Sequence, residues 1–188
     1  MTHEEVEAIA GGYHGDPFRI LGPHSTGSRR GKKRWEVRAF LPQACTAAVL
    51  LDGQAVPMKK EHPQGFYNAA LEGEPQPYRL RLELWSGETV EVEDPYRFPP
   101  LLTDFDLHLH GEGTHYESYN TMGAHLVECE GVAGVRFAVW APNALAVSVV
   151  GDFNEWDSRR HPMRLRNGGV WEIFIPHLKA GATYKFDI

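Results

Sequence analysis

One stretch of this chain recurs 100 residues later, and that recurrence limits the folds open to it. At this spacing Val37 corresponds to Phe137, Ala39 to Val139, Phe40 to Trp140, Pro42 to Pro142, Ala44 to Ala144, Val49 to Val149 and Asp52 to Asp152, with no gap. The spacing then drifts: Pro57 and Met58 correspond to Pro162 and Met163 at 105, Gly65 to Gly169 at 104 and Tyr78 to Tyr184 at 106. Changes of that size belong in loops, where insertions are tolerated. A chain of 188 residues with this repeat is expected to hold two copies of one domain. Domains of about 90 to 100 residues can fold on their own.

The pattern within the first copy says what kind of domain this is. Trp35, Val37, Ala39 and Leu41 alternate with Glu36, Arg38 and Phe40, the period of a half-buried strand. Further short strands are expected at 47–51, 66–71, 78–84 and 89–92, with Gly and Pro between them. The expected fold is all-β: two tandem immunoglobulin-like β-sandwiches behind a short N-terminal helix, the second sandwich truncated at its C-terminus. Thr2 and Glu5 form a capping box for that helix, Val6, Ile9 and Ala10 give it an apolar stripe, and Gly11 and Gly12 can end it. The domains are placed at 1–105 and 126–188. Residues 106–125, within the Pro-, Gly- and His-rich run 94–125, read as an interdomain linker whose aromatics pack on something. The second copy stops inside its final strand, where the first continues into a hairpin, which reads as a cut in a longer protein.

Charge and motif narrow the function. A net charge of −6 argues against a nucleic-acid surface. The one basic cluster, Arg29, Arg30, Lys32, Lys33 and Arg34, reads as a solvated loop. Cys45 and Cys129 stand alone, which suits the cytoplasm, and neither a signal core nor a membrane span is seen. No GxSxG elbow, HExxH, P-loop or dinucleotide-binding turn occurs, and no facing pair of carboxylates is evident, so no catalytic residue is expected. His108, His110 and His115, with Asp104, Asp106 and Glu112, were the one set to weigh as metal ligands, since an HxH on a strand shares a side; a His-rich polar linker is the simpler reading. No metal and no cofactor is expected.

The informative stretch is GDFNEWDSRRHPM, residues 151–163. A short aliphatic run ends in Gly151 and Asp152, and a small loop is expected to lift Phe153 and Trp156 out beside Asn154. An apolar ring beside an amide, with a lysine at Lys185, is chemistry suited to a sugar, the ring covering the C–H face and the polar groups reaching hydroxyls. Core packing is the alternative for Trp156. The first copy has Asp52, Gly53 and Gln54 at this place and no aromatic, which favours presentation of the ring at the surface. Lys185 alternates with Tyr184, Phe186 and Ile188 and so faces outward, either for solubility or for the site. Trp171, matched by Tyr67, and Trp140, matched by Phe40, read as structural.

VRFAVWAPNALAVSVVGDFNEWDSRRHPM, with GGVWEIFIP and YKFDI, resembles a family 48 carbohydrate-binding module, an immunoglobulin-like sandwich attached to α-glucan enzymes. HGDPFRILGPH and the tandem arrangement are similar to the N-terminal region of bacterial 1,4-α-glucan branching enzymes. The resemblance implies a non-catalytic region that binds or positions an α-1,4-glucan such as glycogen, beside a (β/α)₈ barrel of the same parent chain that forms α-1,6 branches. It places the family's sugar-stacking tryptophan on Trp156, its amide on Asn154 and its lysine on Lys185. Docking domains without saccharide binding, and the corresponding modules of debranching or trehalose-forming enzymes, are the alternatives.

Overall fold

The structure, a computed structural model, describes residues 1–29 and 31–188, with Arg29 described by its backbone alone. Arg30 of the basic cluster lies outside the described residues. The chain forms two compact units, one of Met1–Ala10 with Arg19–Arg97 and the other of Gly11–Phe18 with Phe98–Ile188. Each has few helical residues and several short antiparallel strands, as the all-β reading requires.

In the first unit α1 (His3–Gly11) starts with the expected capping box: the Thr2 N–H donates to Glu5 at 2.7 Å and the Glu5 N–H to the Thr2 hydroxyl at 3.2 Å. The strands are β1 (Gly22–Arg29), β2 (Lys32–Phe40), β3 (Ala44–Leu51), β4 (Gln54–Pro57), β5 (Lys59–His62), β6 (Phe66–Glu72), β7 (Arg79–Leu84) and β8 (Thr89–Val92). They build two sheets, in order β1-β2-β6-β5 and β4-β3-β7-β8. Trp35, Val37, Ala39 and Leu41 turn inward from β2 and the residue after it, and meet Val49, Leu80 and Leu82 from the other sheet. β1 was not expected. Its hairpin with β2 puts Lys32, Lys33 and Arg34 on a strand rather than in a loop, where Lys32 pairs with Glu72 at 3.1 Å and Lys33 pairs with Glu74.

The second unit contains α2 (Asp104–Gly111) and the strands β9 (Gly123–Cys129), β10 (Val132–Trp140), β11 (Ser148–Gly151), β12 (Arg164–Leu165), β13 (Val170–Pro176) and β14 (Tyr184–Asp187). One sheet runs β12-β13-β10-β9 and the other is the ribbon β11-β14. Phe137, Val149, Met163, Trp171 and Ile173 fill the core between them. Residues 98–111 pack on this sandwich: Phe98 meets Phe174 edge-on at 4.8 Å, and Leu102 and Leu107 bury against Ala138 and Val170. The N–H of Leu102 donates to the buried Glu172 carboxylate at 3.0 Å, which also pairs with Arg166.

The repeat holds in three dimensions. Val37 stands opposite Ala69 and Ala39 opposite Tyr67, while their counterparts Phe137 and Val139 stand opposite Ile173 and Trp171. The Leu41 N–H donates to Gly65 at 2.7 Å, and the Ala141 N–H to Gly169 at 2.9 Å. The likeness also extends upstream, at a spacing of 101, into the run read as a connection. A second capping box, Thr103 with Asp106, starts α2. The imidazole of His24 donates to the Leu21 carbonyl at 3.0 Å, and that of His125 to the Met122 carbonyl at 2.8 Å. Among the described residues no helix is long and apolar enough to cross a membrane.

Candidate functional site

The loop that follows β11 is built from its main chain outward. Gly151 leaves the strand in extended conformation, at a point where a Cβ would meet the Thr183 carbonyl and the Phe153 ring. Asp152–Asn154 then makes a 3₁₀ turn. Glu155 and Trp156 follow with φ of 58° and 60°, both in the left-handed region, and the Asp157 N–H closes the turn on the Asn154 carbonyl at 3.1 Å. A bulky aromatic in that region is an outlier that costs about 1–3 kcal/mol and persists only where its surroundings hold it.

Those surroundings are identifiable. The Trp156 N–H donates to the Gly151 carbonyl at 3.0 Å, and its indole N–H donates to Asp152 Oδ1 at 2.9 Å. Asp157 accepts from Arg159 at 2.7 and 2.9 Å, and these bonds lower its carboxyl pKa. Trp156 is 43% exposed, so the residue is neither buried in the core nor fully free in solvent.

Two neighbours differ from their expected roles. Phe153 faces inward: it joins the core cluster and stacks on Phe137 with centroids 6.4 Å apart, so the loop presents one aromatic rather than two. Asn154 is 0% exposed. Its Oδ1 accepts from the Gly151 N–H at 2.9 Å, and its Nδ2 donates to the Val149 carbonyl at 2.8 Å and to His161 Nδ1 at 2.9 Å. With every polar atom of the amide engaged inside the loop, Asn154 braces the turn instead of offering itself to a hydroxyl. His161 accepts as a neutral ring, since burial, helped by the Arg160 charge, pushes its pKa down to about 3.

Lys185 is exposed on β14, while Tyr184 and Phe186 turn inward to meet Phe137 edge-on at 4.8 and 6.5 Å. It stands opposite Val150, one register pair from Gly151 and Tyr184. Because the Gly151 carbonyl holds the Trp156 N–H, the main chain of Trp156 and that of Lys185 belong to the same end of the β11–β14 ribbon. Further along, at Ser148 and Asp187, a cleft of about 610 Å³ lies between Tyr13, Asn143, Leu145 and Asp187. Tyr13 is 64% exposed. Sequence reasoning missed this cleft because the tyrosine comes from a segment far away in the chain.

The remaining candidates separate. His108, His110 and His115 lie on or after α2, not on a strand, and residues two apart on a helix do not share a face. His108 contacts Glu112 at 3.4 Å, His115 contacts Asp106 at 3.6 Å, and His110 meets the Trp140 ring edge-on at 5.7 Å. Trp171 is buried, with its indole N–H donating to the Ala141 carbonyl at 3.1 Å. Trp140 is exposed, not core, and its indole donates to the Gly168 carbonyl at 3.0 Å. In the first unit Trp85 is exposed in the β7–β8 turn with Lys60 Nζ 5.1 Å from its ring. That tryptophan also escaped the sequence reading, which had taken its turn as a simple hairpin.

Two family models match the chain. The model of the alpha-1,4-glucan branching enzyme GlgB N-terminal domain matches residues 2–96, and that of carbohydrate-binding module 48, the isoamylase N-terminal domain, matches residues 121–188. The 1,4-alpha-glucan branching enzyme GlgB of Paramagnetospirillum magneticum is 52% identical over 100% of this chain and 25% of its own length. That of Rubrobacter xylanophilus is 51% identical over 100% of this chain and 26% of its own. Among solved structures, a type I pullulanase from Bacillus subtilis complexed with maltose aligns with 88% of this chain and 23% of its own at 15% identity, with a TM-score of 0.28. The chain spans about a quarter of the length of the curated relatives it matches. With one model covering half of it and the second most of the rest, the chain belongs to the family of alpha-1,4-glucan branching enzyme GlgB N-terminal domains, here joined to a carbohydrate-binding module 48.

Proposed function

We propose that this chain is the non-catalytic region of a 1,4-α-glucan branching enzyme that holds an α-1,4-glucan, and that Trp156 and Lys185 make the contact. The observation that carries the reading is the backbone of Trp156, a bulky ring kept in the left-handed region by Asp152 and by the Asn154–His161 brace, with its face partly open. A fold that needed only a turn there would use Asn or Gly. The open face covers the C–H side of a glucose ring, and the Lys185 ammonium donates to its hydroxyls. Asn154 serves as a positioning residue. The branch-forming chemistry resides in the part of the relatives that this chain does not span, in a (β/α)₈ barrel that presents the reacting bond while this region holds the glucan further along. We place the protein in the cytoplasm, where glycogen is made and where the free thiols Cys45 and Cys129 remain reduced.

Titrating the chain with maltoheptaose while following tryptophan fluorescence tests this. A saturable change in the native chain that is lost in Trp156→Ala is expected. Equal responses from both would remove Trp156 from the site.

A further inference from the structure

The first sandwich has the same two strands at the place where the second holds Lys185 and the Trp156 loop. Leu50 stands opposite Arg79 between β3 and β7, as Val150 stands opposite Lys185 between β11 and β14. The spacings that relate Asp52 to Asp152 and Tyr78 to Tyr184 carry Arg79 onto Lys185. Both units thus set a cation at one and the same register position.

What surrounds the cation differs. In the first unit Asp52 and Gly53, with φ of 47° and 79°, form a two-residue hairpin turn from β3 to β4 in place of the tryptophan loop. The short turn leaves a cavity of about 250 Å³, lined by Leu50, Asp52, Arg79, Arg81 and Glu91 together with Tyr78. Arg81 donates to Glu91 Oε1 at 2.9 Å, and Arg79 forms an ion pair with the other oxygen of that carboxylate at 3.0 Å. A guanidinium has five N–H groups, so each keeps donors to spare after that pairing.

The charges select the ligand class. Two guanidinium groups and two carboxylates cancel, which leaves no excess positive charge to hold a phosphate or other anion. Fixed donors and acceptors side by side suit adjacent hydroxyls, each of which both donates and accepts. The volume is below the range of about 300–1,000 Å³ for clefts that enclose larger ligands, so it suits one terminal ring and not the middle of a helical chain.

We propose that the pocket formed by Asp52, Arg79, Arg81 and Glu91 is a second saccharide site, which takes the end of a neutral α-glucan. This rests on the glucan reading of the Trp156 loop, since it is the duplication that assigns the same ligand to both. The platform on the second unit and the pocket on the first then divide the work, one covering the body of a chain and the other reading its terminus.

Backbone amide shifts of the whole chain, followed by nuclear magnetic resonance during titration with maltotriose, test the pocket. The variants are Trp156→Ala and Trp156→Ala with Arg79→Met; Arg79 is half exposed, and a thermal melt checks that both stay folded. Saturable shifts at Asp52, Arg79, Arg81 and Glu91 are expected in Trp156→Ala, with their loss when Arg79→Met is added. Shifts around Trp156 in the native chain with none in the pocket would overturn this proposal and leave the first reading standing. Shifts at neither place would overturn both. Pocket shifts produced by inorganic phosphate but not by maltotriose would overturn the saccharide assignment.

Discussion

The indole N–H of Trp156 donates to the carboxylate of Asp152, four positions earlier in the chain, at 2.9 Å. The matching Asp52 of the first unit caps a hairpin and has no ring to hold. The same aspartate therefore serves a turn in one copy and aims an aromatic in the other. Asp152→Ala should leave the fold intact, because the bond lies at the surface, yet free the ring to reorient. Affinity for maltoheptaose is expected to fall about three- to tenfold with a change in melting temperature of no more than about 3 °C. Calorimetric titration and a thermal melt measure the two separately.

Trp156→Ala removes the ring and also relieves its backbone strain, since alanine meets less crowding in the left-handed region. Affinity should fall by tenfold or more, about 1.4 kcal/mol or above, with stability unchanged or slightly raised. Lys185→Met, on the exposed edge of β14, should cost roughly tenfold in affinity with no loss of stability. A variant that binds as well as the native chain would exclude that residue.

Asn154→Ala should behave in the opposite way. It leaves the buried N–H of Gly151 and the carbonyl of Val149 without partners, a loss of about 2–3 kcal/mol in stability. Binding should weaken as well, because Trp156 loses the turn that presents it. Urea denaturation of the variant, set beside its maltoheptaose affinity, checks both parts.

Acid affects the two units with opposite sign. His161 titrates near 3 in the folded chain against 6.5 for a free imidazole, so the unfolded form takes up more protons between those values. Its contribution to stability is therefore present above about pH 6.5 and lost as the pH falls towards 3. In the first unit burial raises Asp94 from 3.8 to about 6, even though it accepts from Tyr78 at 2.5 Å. Here the folded form takes up more protons, and stability falls as the pH rises from about 4 to 6. Asp94→Asn should flatten the pH dependence of unit one alone, and His161→Gln that of unit two. Urea midpoints at about pH 5 and about pH 7.5, followed by amide signals from each unit, show the difference.

Gly65 and Gly169 give a paired test of the duplication. Both have positive φ, at 108° and 77°. A Cβ on Gly65 would come within 2.7 Å of the Leu41 carbonyl, and one on Gly169 would press on Pro142. Alanine at either should destabilise its unit by about 2 kcal/mol or more, with similar values at the two sites. A harmless substitution at one and a costly one at the other would break the equivalence.

The repeat was legible because it is carried by inward-facing residues whose spacing the pleat fixes. Val37 with Ala69 and Phe137 with Ile173 occupy the same register even though none of the four side chains is shared between the copies. The upstream half of the repeat was hidden by chemistry. Thr2 and Glu5 are a recognisable capping box, whereas Thr103 with Asp106 makes the same bonds through a shorter side chain, amid histidines that drew attention to metal. The exposure of Trp156 and Lys185 was legible from the missing counterpart and from strand alternation. The inward turn of the half-buried Phe153 and the burial of Asn154 were not legible, since a 3₁₀ turn rotates successive residues through angles that strand alternation does not describe.

The path of the chain adds a constraint on how such a protein is cut and made. Gly11–Phe18 belongs to the second unit although it sits within the sequence of the first, and Phe18 there lies under the guanidinium of Arg164 at 3.8 Å. No single cleavage yields two whole units: a break after Arg97 gives one piece carrying eight residues it cannot use and another missing them. During synthesis this segment waits for partners far downstream: Gly15 for Leu145, Gly12 for Arg159 and Phe18 for Arg164. The genetic exchange that would move the second sandwich to another enzyme must take this early segment with it, or find a substitute for the ring beneath Arg164.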